Sequence, residues 1–377
     1  MKNIGIALLV LLLFPIAAFA QVSSKAGPES ISAASAILVE AGTGRVLYAH
    51  NANEERAIAS TTKIMTALVA AELCSPEEIL CVQADCVKIE GASLYLEEKE
   101  QLTMLDMLYG LLLRSGNDAA AAIAKHVGGD VNHFVSSMNQ RAWELGMHST
   151  SFDNPHGLDN TRHYSTAYDM ALLGAEFLKI PLLREICVTD EYISRELTNG
   201  RVRLFKNNNK LLFRDPRACG IKIGWTEGAG RCLVAAARAG DVELVAVVLA
   251  APDLYTDASK LFDYGFSQLK VQELVPQGKV MALLPVEGGE GSRVAVTASR
   301  SLFYPIYAGE TLSVTTQVQA PEKLKAPVQS GQCVGTVLVR VDDKWTAEVE
   351  LVAASTVPEK AGIIRRLFKL VRRWWHD

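Results

Sequence analysis

IASTTKIMTALVA, residues 58–70, decides how the rest of the chain is read. Its apolar residues Ile64, Met65, Leu68 and Val69 recur at helical spacing, which predicts a helix over 60–73 that opens at Ser60. A serine at a helix start lies among unpaired backbone N–H groups, at the positive end of the helix dipole. Both favour negative charge developing on its oxygen. Lys63 follows one turn later on the same face, within reach of that oxygen. A lysine that is desolvated and held among other cations can shed its proton near neutral pH and act as a base. Read plainly, the same pair is an N-cap serine and a solvated lysine. At average residue usage, S-x-x-K arises by chance about once in a chain of this length.

Two more stretches bear on the choice. Ser115-Gly116-Asn117 falls between two helical segments, where helix ends present polar groups to a cleft. Ser115 can pass a proton to a leaving amine and Asn117 can bind a substrate amide. As plain structure the three are a turn and a cap. Lys222-Ile223-Gly224-Trp225-Thr226 lies in a strand-like run. A lysine on an edge strand commonly guards against aggregation. In a site, this strand would pair with substrate backbone, Lys222 would add positive field and Gly224 would allow close approach.

Around these motifs, SAILVEAGTGRVLYAH at 35–50 predicts a hairpin about Gly42-Thr43-Gly44. Leu102–Leu113, Asp118–Val127 and residues 165–179 read as helices. Runs at 219–226, 231–238 and 242–250 read as strands, the last two joined by Gly240-Asp241. From about residue 270 the pattern changes to short strand-like runs at 279–284, 292–297, 311–319, 333–341 and 346–352, as in a small all-β sandwich or barrel. There is no internal repeat, and GGEGS at 288–292 lacks the helix and Lys-Ser/Thr of a phosphate cradle.

The ends differ from the body. Lys2, the apolar run Ile4–Ile16 and Ala18-Phe19-Ala20 form a secretory leader over 1–20, with cleavage expected before Gln21. At 358–377, Ile363, Ile364, Leu367, Phe368, Trp374 and Trp375 share one helical face opposite Arg365, Arg366, Lys369, Arg372 and Arg373. Such a helix lies along an anionic membrane surface. The chain has net charge −4, so with a basic tail its body is acidic, which argues against a nucleic-acid partner. The seven cysteines are too sparse for a disulfide scaffold. Cys74, Cys81 and Cys86 are close enough for one local bridge. Without a C-x-x-C pair, buried thiols are expected rather than a zinc site. His156 and His163 read as structural, since the serine–lysine set makes a histidine base unnecessary. H-E-x-x-H is absent.

Taken together, STTK at 60–63, SGN at 115–117 and KIG at 222–224 resemble the motifs of penicillin-recognising serine enzymes. More narrowly, with SGNDAA at 115–120, NPHGLD at 154–159 and YSTAYDMALL at 164–173, residues 35–265 are similar to the D-alanyl-D-alanine carboxypeptidases among the low-molecular-mass penicillin-binding proteins. The resemblance implies an α/β (α+β) serine β-lactamase/transpeptidase-like domain at 30–268, with an antiparallel sheet packed by helices. A small all-β domain at 269–355 and an amphipathic anchor helix at 356–377 would follow. It implies removal of the terminal D-alanine from peptidoglycan peptide stems, acylation by β-lactams, and no metal or cofactor. The protein would be exported and peripheral, at the outer face of the cytoplasmic membrane. Ser60 would be the nucleophile and Lys63 its base. The backbone N–H groups of Ser60 and Trp225 would bind the oxyanion, and Lys222 and Thr226 the terminal carboxylate. Asp169 would support the site from behind. One position departs from the family: Ile223 stands where threonine is usual. Loss of that hydroxyl weakens carboxylate recognition by about 1–3 kcal/mol. This keeps open a catalytically weakened wall-binding protein. A β-lactamase would need a carboxylate in an E-x-x-L-N stretch, which the chain lacks.

Overall fold

The computed structural model describes residues 27–360, apart from Glu29, Ala308 and Lys344. The leader at 1–20 lies outside the described residues, as does the helix expected at 356–377 except for 356–360, which are not helical: Val357 and Glu359 form isolated β-bridges to Val328 and Gly289.

The three runs read as strands at 219–250 and the hairpin at 35–50 form one antiparallel sheet. Its order is Val46–His50, Ser35–Glu40, Val242–Leu249, Gly230–Ala239, Ala218–Thr226. Alternate side chains of the inner strands feed two cores. Ile37, Val39, Val234, Ala236, Val245 and Val247 pack against most of the helices, whereas Leu38, Leu233, Ala235, Leu244 and Ala246 pack beneath the helix Leu254–Gln268. With both faces covered, the inner strands are apolar throughout, and this is why they read clearly in sequence. Ala218–Thr226, which carries the third motif, ends the sheet at one edge.

The first two motifs sit at the starts of helices that run into the larger core. Ser60 lies in a single 3₁₀ turn, Ala59–Thr62, continued by the helix Lys63–Leu73. The stretch 102–113 is helical from Met104 onward. Thr103 ends a short strand, and its side chain and that of Asp106 form a capping box that starts the helix Met104–Tyr109. One wide π turn, Gly110–Arg114, then leads to Ser115 in the left-handed conformation (φ 64°). A chain reversal here frees the next helix, Asn117–Gly128, to start beside the first motif.

Beyond the last helix, Leu269–Val275 pairs with Leu302–Tyr307. A six-stranded sheet follows in the order Val314–Gln319, Cys333–Val341, Trp345–Ala353, Arg293–Ala298, Val280–Glu287, Leu324–Lys325. Its valine-rich core is separate from the other two. All seven cysteines are unpaired. Cys86, Cys187 and Cys232 are buried as expected, but Cys74 and Cys219 are half-buried and Cys81 and Cys333 exposed. The expectation of seven buried thiols therefore fails where strand ends and helix ends meet solvent.

Candidate active site

The turn that carries Ser60 is held on several sides. Ala59, immediately before it, has φ +47°, a conformation that costs a residue with a β-carbon about 1–2 kcal/mol. Thr61 Oγ1 donates to the Ile58 carbonyl at 2.5 Å and Thr62 Oγ1 to the Ala59 carbonyl at 2.8 Å. His163 locks the arrangement. Its Nδ1 accepts the Asp153 N–H at 3.0 Å, which leaves the proton on Nε2, and Nε2 stands 2.7 Å from Thr62 Oγ1. Burial pushes His163 down to about 4, so the neutral tautomer is the working form. His163 thus braces the nucleophile turn and does not touch Ser60. Gly157 completes the brace. It has φ +89°, and a β-carbon there would lie 1.9 Å from the Ala59 oxygen.

Lys63 is fully buried. Its Nζ stands 2.9 Å from Ser60 Oγ, 2.7 Å from Asn117 Oδ1 and 2.6 Å from the His156 carbonyl. Burial, and then the nearby Lys222, hold its pKa well below the ordinary lysine value. A neutral amine has two N–H donors and one lone pair. Asn117 Oδ1 and the His156 carbonyl take the two donors, so the lone pair is directed at the Ser60 hydroxyl.

Asn117 is fixed by its own chain: its N–H donates to the Ala92 carbonyl at 2.7 Å and its Nδ2 to the Glu90 carbonyl at 2.5 Å. Next to it, buried Asp118 accepts from Ser93 Oγ at 2.6 Å and from the N–H groups of Leu94 (2.9 Å) and Leu96 (3.1 Å). This carboxylate ties the 91–96 loop to the helix start, and nothing but its adjacency to SGN marked it in sequence. Ser115 is on the pocket wall, and its hydroxyl makes no hydrogen bond among the described residues.

On the facing strand the side chains alternate. Lys222 is buried, and among the described residues its Nζ donates only to the Ile223 carbonyl, at 3.0 Å. Burial brings its pKa down to about 7. Gly224 lies flat against the nucleophile turn, where a β-carbon would come 2.8 Å from Ser60 N. Ile223 and the exposed Trp225 face a pocket of about 540 Å³, lined also by Ser60, Ser115 and Gly224. Thr226 is placed differently from the expectation. It is absent from the pocket lining, and its hydroxyl donates to Asp159 Oδ1 at 2.7 Å. The far wall instead presents Lys210, Arg214 and Arg231 against one acid, Asp253, and the Arg214 guanidinium stacks 4.8 Å over the Tyr255 ring. These cations come from scattered loop and strand positions, and no motif announced them.

Asp169 does not reach the pocket. It sits in the first turn of the helix Ala167–Phe177, where it accepts from Ser149 N at 2.9 Å and Thr150 Oγ1 at 2.7 Å. It clasps a loop to that helix, and burial raises its pKa. The structure therefore gathers Ser60, Lys63, Ser115, Asn117, Lys222 and Gly224, and leaves Thr226 and Asp169 outside.

Comparison with known proteins gives a consistent picture. A family model described as D-alanyl-D-alanine carboxypeptidase matches residues 21–253, and one described as penicillin-binding protein 5, C-terminal domain, matches residues 270–359. The D-alanyl-D-alanine carboxypeptidase DacF of Bacillus subtilis (strain 168) is 35% identical, over 97% of this chain and 96% of its own. DacC of Escherichia coli (strain K12), of the same description, is 30% identical over 97% and 94%. Among solved structures, penicillin binding protein 5 from Haemophilus influenzae superposes with a TM-score of 0.64 at 28% identity, over 89% of this chain and 100% of that one. A mutant of the Streptomyces K15 DD-transpeptidase gives 0.60 at 32%, over 63% and 99%.

Proposed function

The chain belongs to the D-alanyl-D-alanine carboxypeptidase family, and from that premise we propose that Ser60 is the nucleophile with which it removes the terminal D-alanine from peptidoglycan pentapeptide stems. It is a serine-type carboxypeptidase of a penicillin-binding family, and the same serine is the proposed point of acylation by β-lactams. The observation that carries the assignment of roles is the set of partners around Lys63: two carbonyl oxygens take its N–H groups, and its third contact is Ser60 Oγ.

In the proposed cycle the Ser60 proton passes to Lys63 Nζ as Oγ attacks the carbonyl of the penultimate D-alanine. The N–H groups of Ser60 and Trp225 bind the oxyanion, each contributing about 3 kcal/mol. The proton leaves through Ser115 to the departing amine, while Asn117 holds the stem amide. Water then attacks the acyl-enzyme, with Lys63 again taking the proton. Lys222 adds positive field beneath the site and lowers the proton affinity of Lys63. The terminal carboxylate is assigned to the wall formed by Lys210, Arg214 and Arg231. Ile223 offers no hydroxyl, and that of Thr226 is engaged by Asp159.

The same reading takes 1–20 as an export leader, 30–268 as the peptidase domain, 269–355 as the β domain and 356–377 as an anchor on an anionic membrane surface. It places the enzyme at the outer face of the cytoplasmic membrane. The test is covalent labelling with a fluorescent penicillin, alongside D-alanine release from a synthetic pentapeptide. Ser60→Ala should abolish both. Labelling that survives the change excludes Ser60, and rapid turnover of penicillin in place of a long-lived adduct would mark a β-lactamase.

A further inference from the structure

On the side of the peptidase domain away from the pocket, three side chains of different chemistry converge. Cys74 caps the C-terminal end of the helix Lys63–Leu73, and its N–H donates to the Ala70 carbonyl at 3.0 Å. Glu78 lies one turn further on, with its carbonyl accepting from Met104 N at 2.8 Å. His126 is in the last turn of the helix Asn117–Gly128, and its Nε2 stands 2.7 Å from Glu78 Oε1. A thiol sulfur, a carboxylate oxygen and an imidazole nitrogen thus lie within 4.8 Å of one another.

From this juxtaposition we propose that Cys74, Glu78 and His126 form a binding site for a zinc-like divalent cation, with solvent in the fourth position. Sulfur, nitrogen and oxygen donors together are zinc's ordinary ligand set. Its bond lengths of about 2.0–2.3 Å put tetrahedral donors about 3.3–3.6 Å apart. The observed spacing, within 4.8 Å, is little wider than this. Two helices end here, so two sets of unpaired carbonyls turn their negative ends toward the site and favour a cation. The adjacent lysine, Lys125, does not compete, because Asp85 engages it. Binding forms the metal–sulfur bond as the thiol proton passes to solvent.

The location gives the site its function. The helix ending at Cys74 starts at Lys63, and the helix carrying His126 starts at Asn117. At 1.5 Å per residue the cation would sit about 14–17 Å from the catalytic ends of the two. It would take no part in the chemistry and would join the far ends of the two helices that position the base and its amide partner. This inference uses only the geometry of the three ligands and does not depend on the proposed catalytic cycle.

The experiment uses the full chain, reduced and stripped with a chelator. Zinc chloride should raise the thermal midpoint, saturating at one equivalent. Cobalt(II) should produce a near-ultraviolet thiolate-to-metal charge-transfer band. Cys74→Ser and His126→Ala should each remove the thermal shift, and Cys74→Ser the cobalt band, with penicillin labelling retained in both. Should one variant fail to fold, the other and Glu78→Gln carry the comparison. No thermal shift in the unmodified chain, an equal shift in all variants, or a missing cobalt band overturns the proposal. A Glu78–His126 ion pair alone would give the first of these results.

Discussion

Replacing Lys222 by methionine should make the protein more stable and its active site inert. Lys222 is fully buried and donates one hydrogen bond, to the Ile223 carbonyl at 3.0 Å. Its pKa is about 7 in the folded chain, against ~10.4 for an unperturbed lysine. The sign follows from which state binds the proton. Below about pH 7 both states carry it, and folding bears the full cost of burying the charge. From about pH 7 to ~10.4 the unfolded chain keeps a proton that the folded chain has shed, so stability rises with pH across that window. At about 1.36 kcal/mol per pKa unit, the cost is about 4 kcal/mol at pH 7 and about 2 kcal/mol at pH 9. Methionine fills a similar volume and tolerates irregular packing, at the loss of one hydrogen bond worth about 1 kcal/mol. Lys222→Met should therefore gain about 3 kcal/mol at pH 7 and about 1 kcal/mol at pH 9. Urea unfolding at the two pH values measures this through the midpoint at constant slope. A gain that is the same at both pH values, or a loss at pH 7, refutes the argument that a buried charge is the cause.

Lys63 must be unprotonated to accept the serine proton, so acylation by penicillin should fall on acidification through its depressed pKa. A stopped-flow profile with no acid limb anywhere in the pH range over which the protein stays folded would remove Lys63 as the base. Gly157→Ala forces a β-carbon to 1.9 Å from the Ala59 oxygen at φ +89°. It should lose at least about 2 kcal/mol in thermal unfolding, and most labelling with it. Arg214→Ala or Arg231→Ala should each raise KM for a D-alanyl-D-alanine stem about 10-fold or more, the worth of one hydrogen bond to a charged group. Unchanged KM in both would move the carboxylate elsewhere.

The parts of the fold legible in sequence were those where one physical demand dominates. The inner strands Gly230–Ala239 and Val242–Leu249 are buried on both faces and read as apolar runs. The helix Lys63–Leu73 has a polar start and then an apolar run, with all of Lys63–Ala70 buried. The helices Val131–Glu144, Pro181–Val188 and Leu254–Gln268 each bury one stripe among many polar residues and carry no motif that singles them out. Leu102–Leu113 is helical from Met104, where Thr103 and Asp106 cap it, and only its first two residues belong to a strand while its last turn widens to π. In the site, the residues with a fixed spacing were found, since chemistry sets that spacing. The cationic wall was not, since a carboxylate can be met from any direction. The alternation of the third motif was the hardest point. Thr226 shares its face of the strand with Lys222 and Gly224 but its hydroxyl is taken by Asp159, while Ile223 and Trp225 line the pocket.

Lys63 meets its three partners from residues 60, 117 and 156, and it is dry only because the large core closes over it. In an unfolded chain Ser60 is an ordinary alcohol beside an ordinary ammonium. Reactivity toward penicillin is thus a report on folding as much as on chemistry. A substitution deep among the helices, leaving every motif intact, can silence the serine, and recovery of labelling during refolding would time the moment at which that interior becomes sealed.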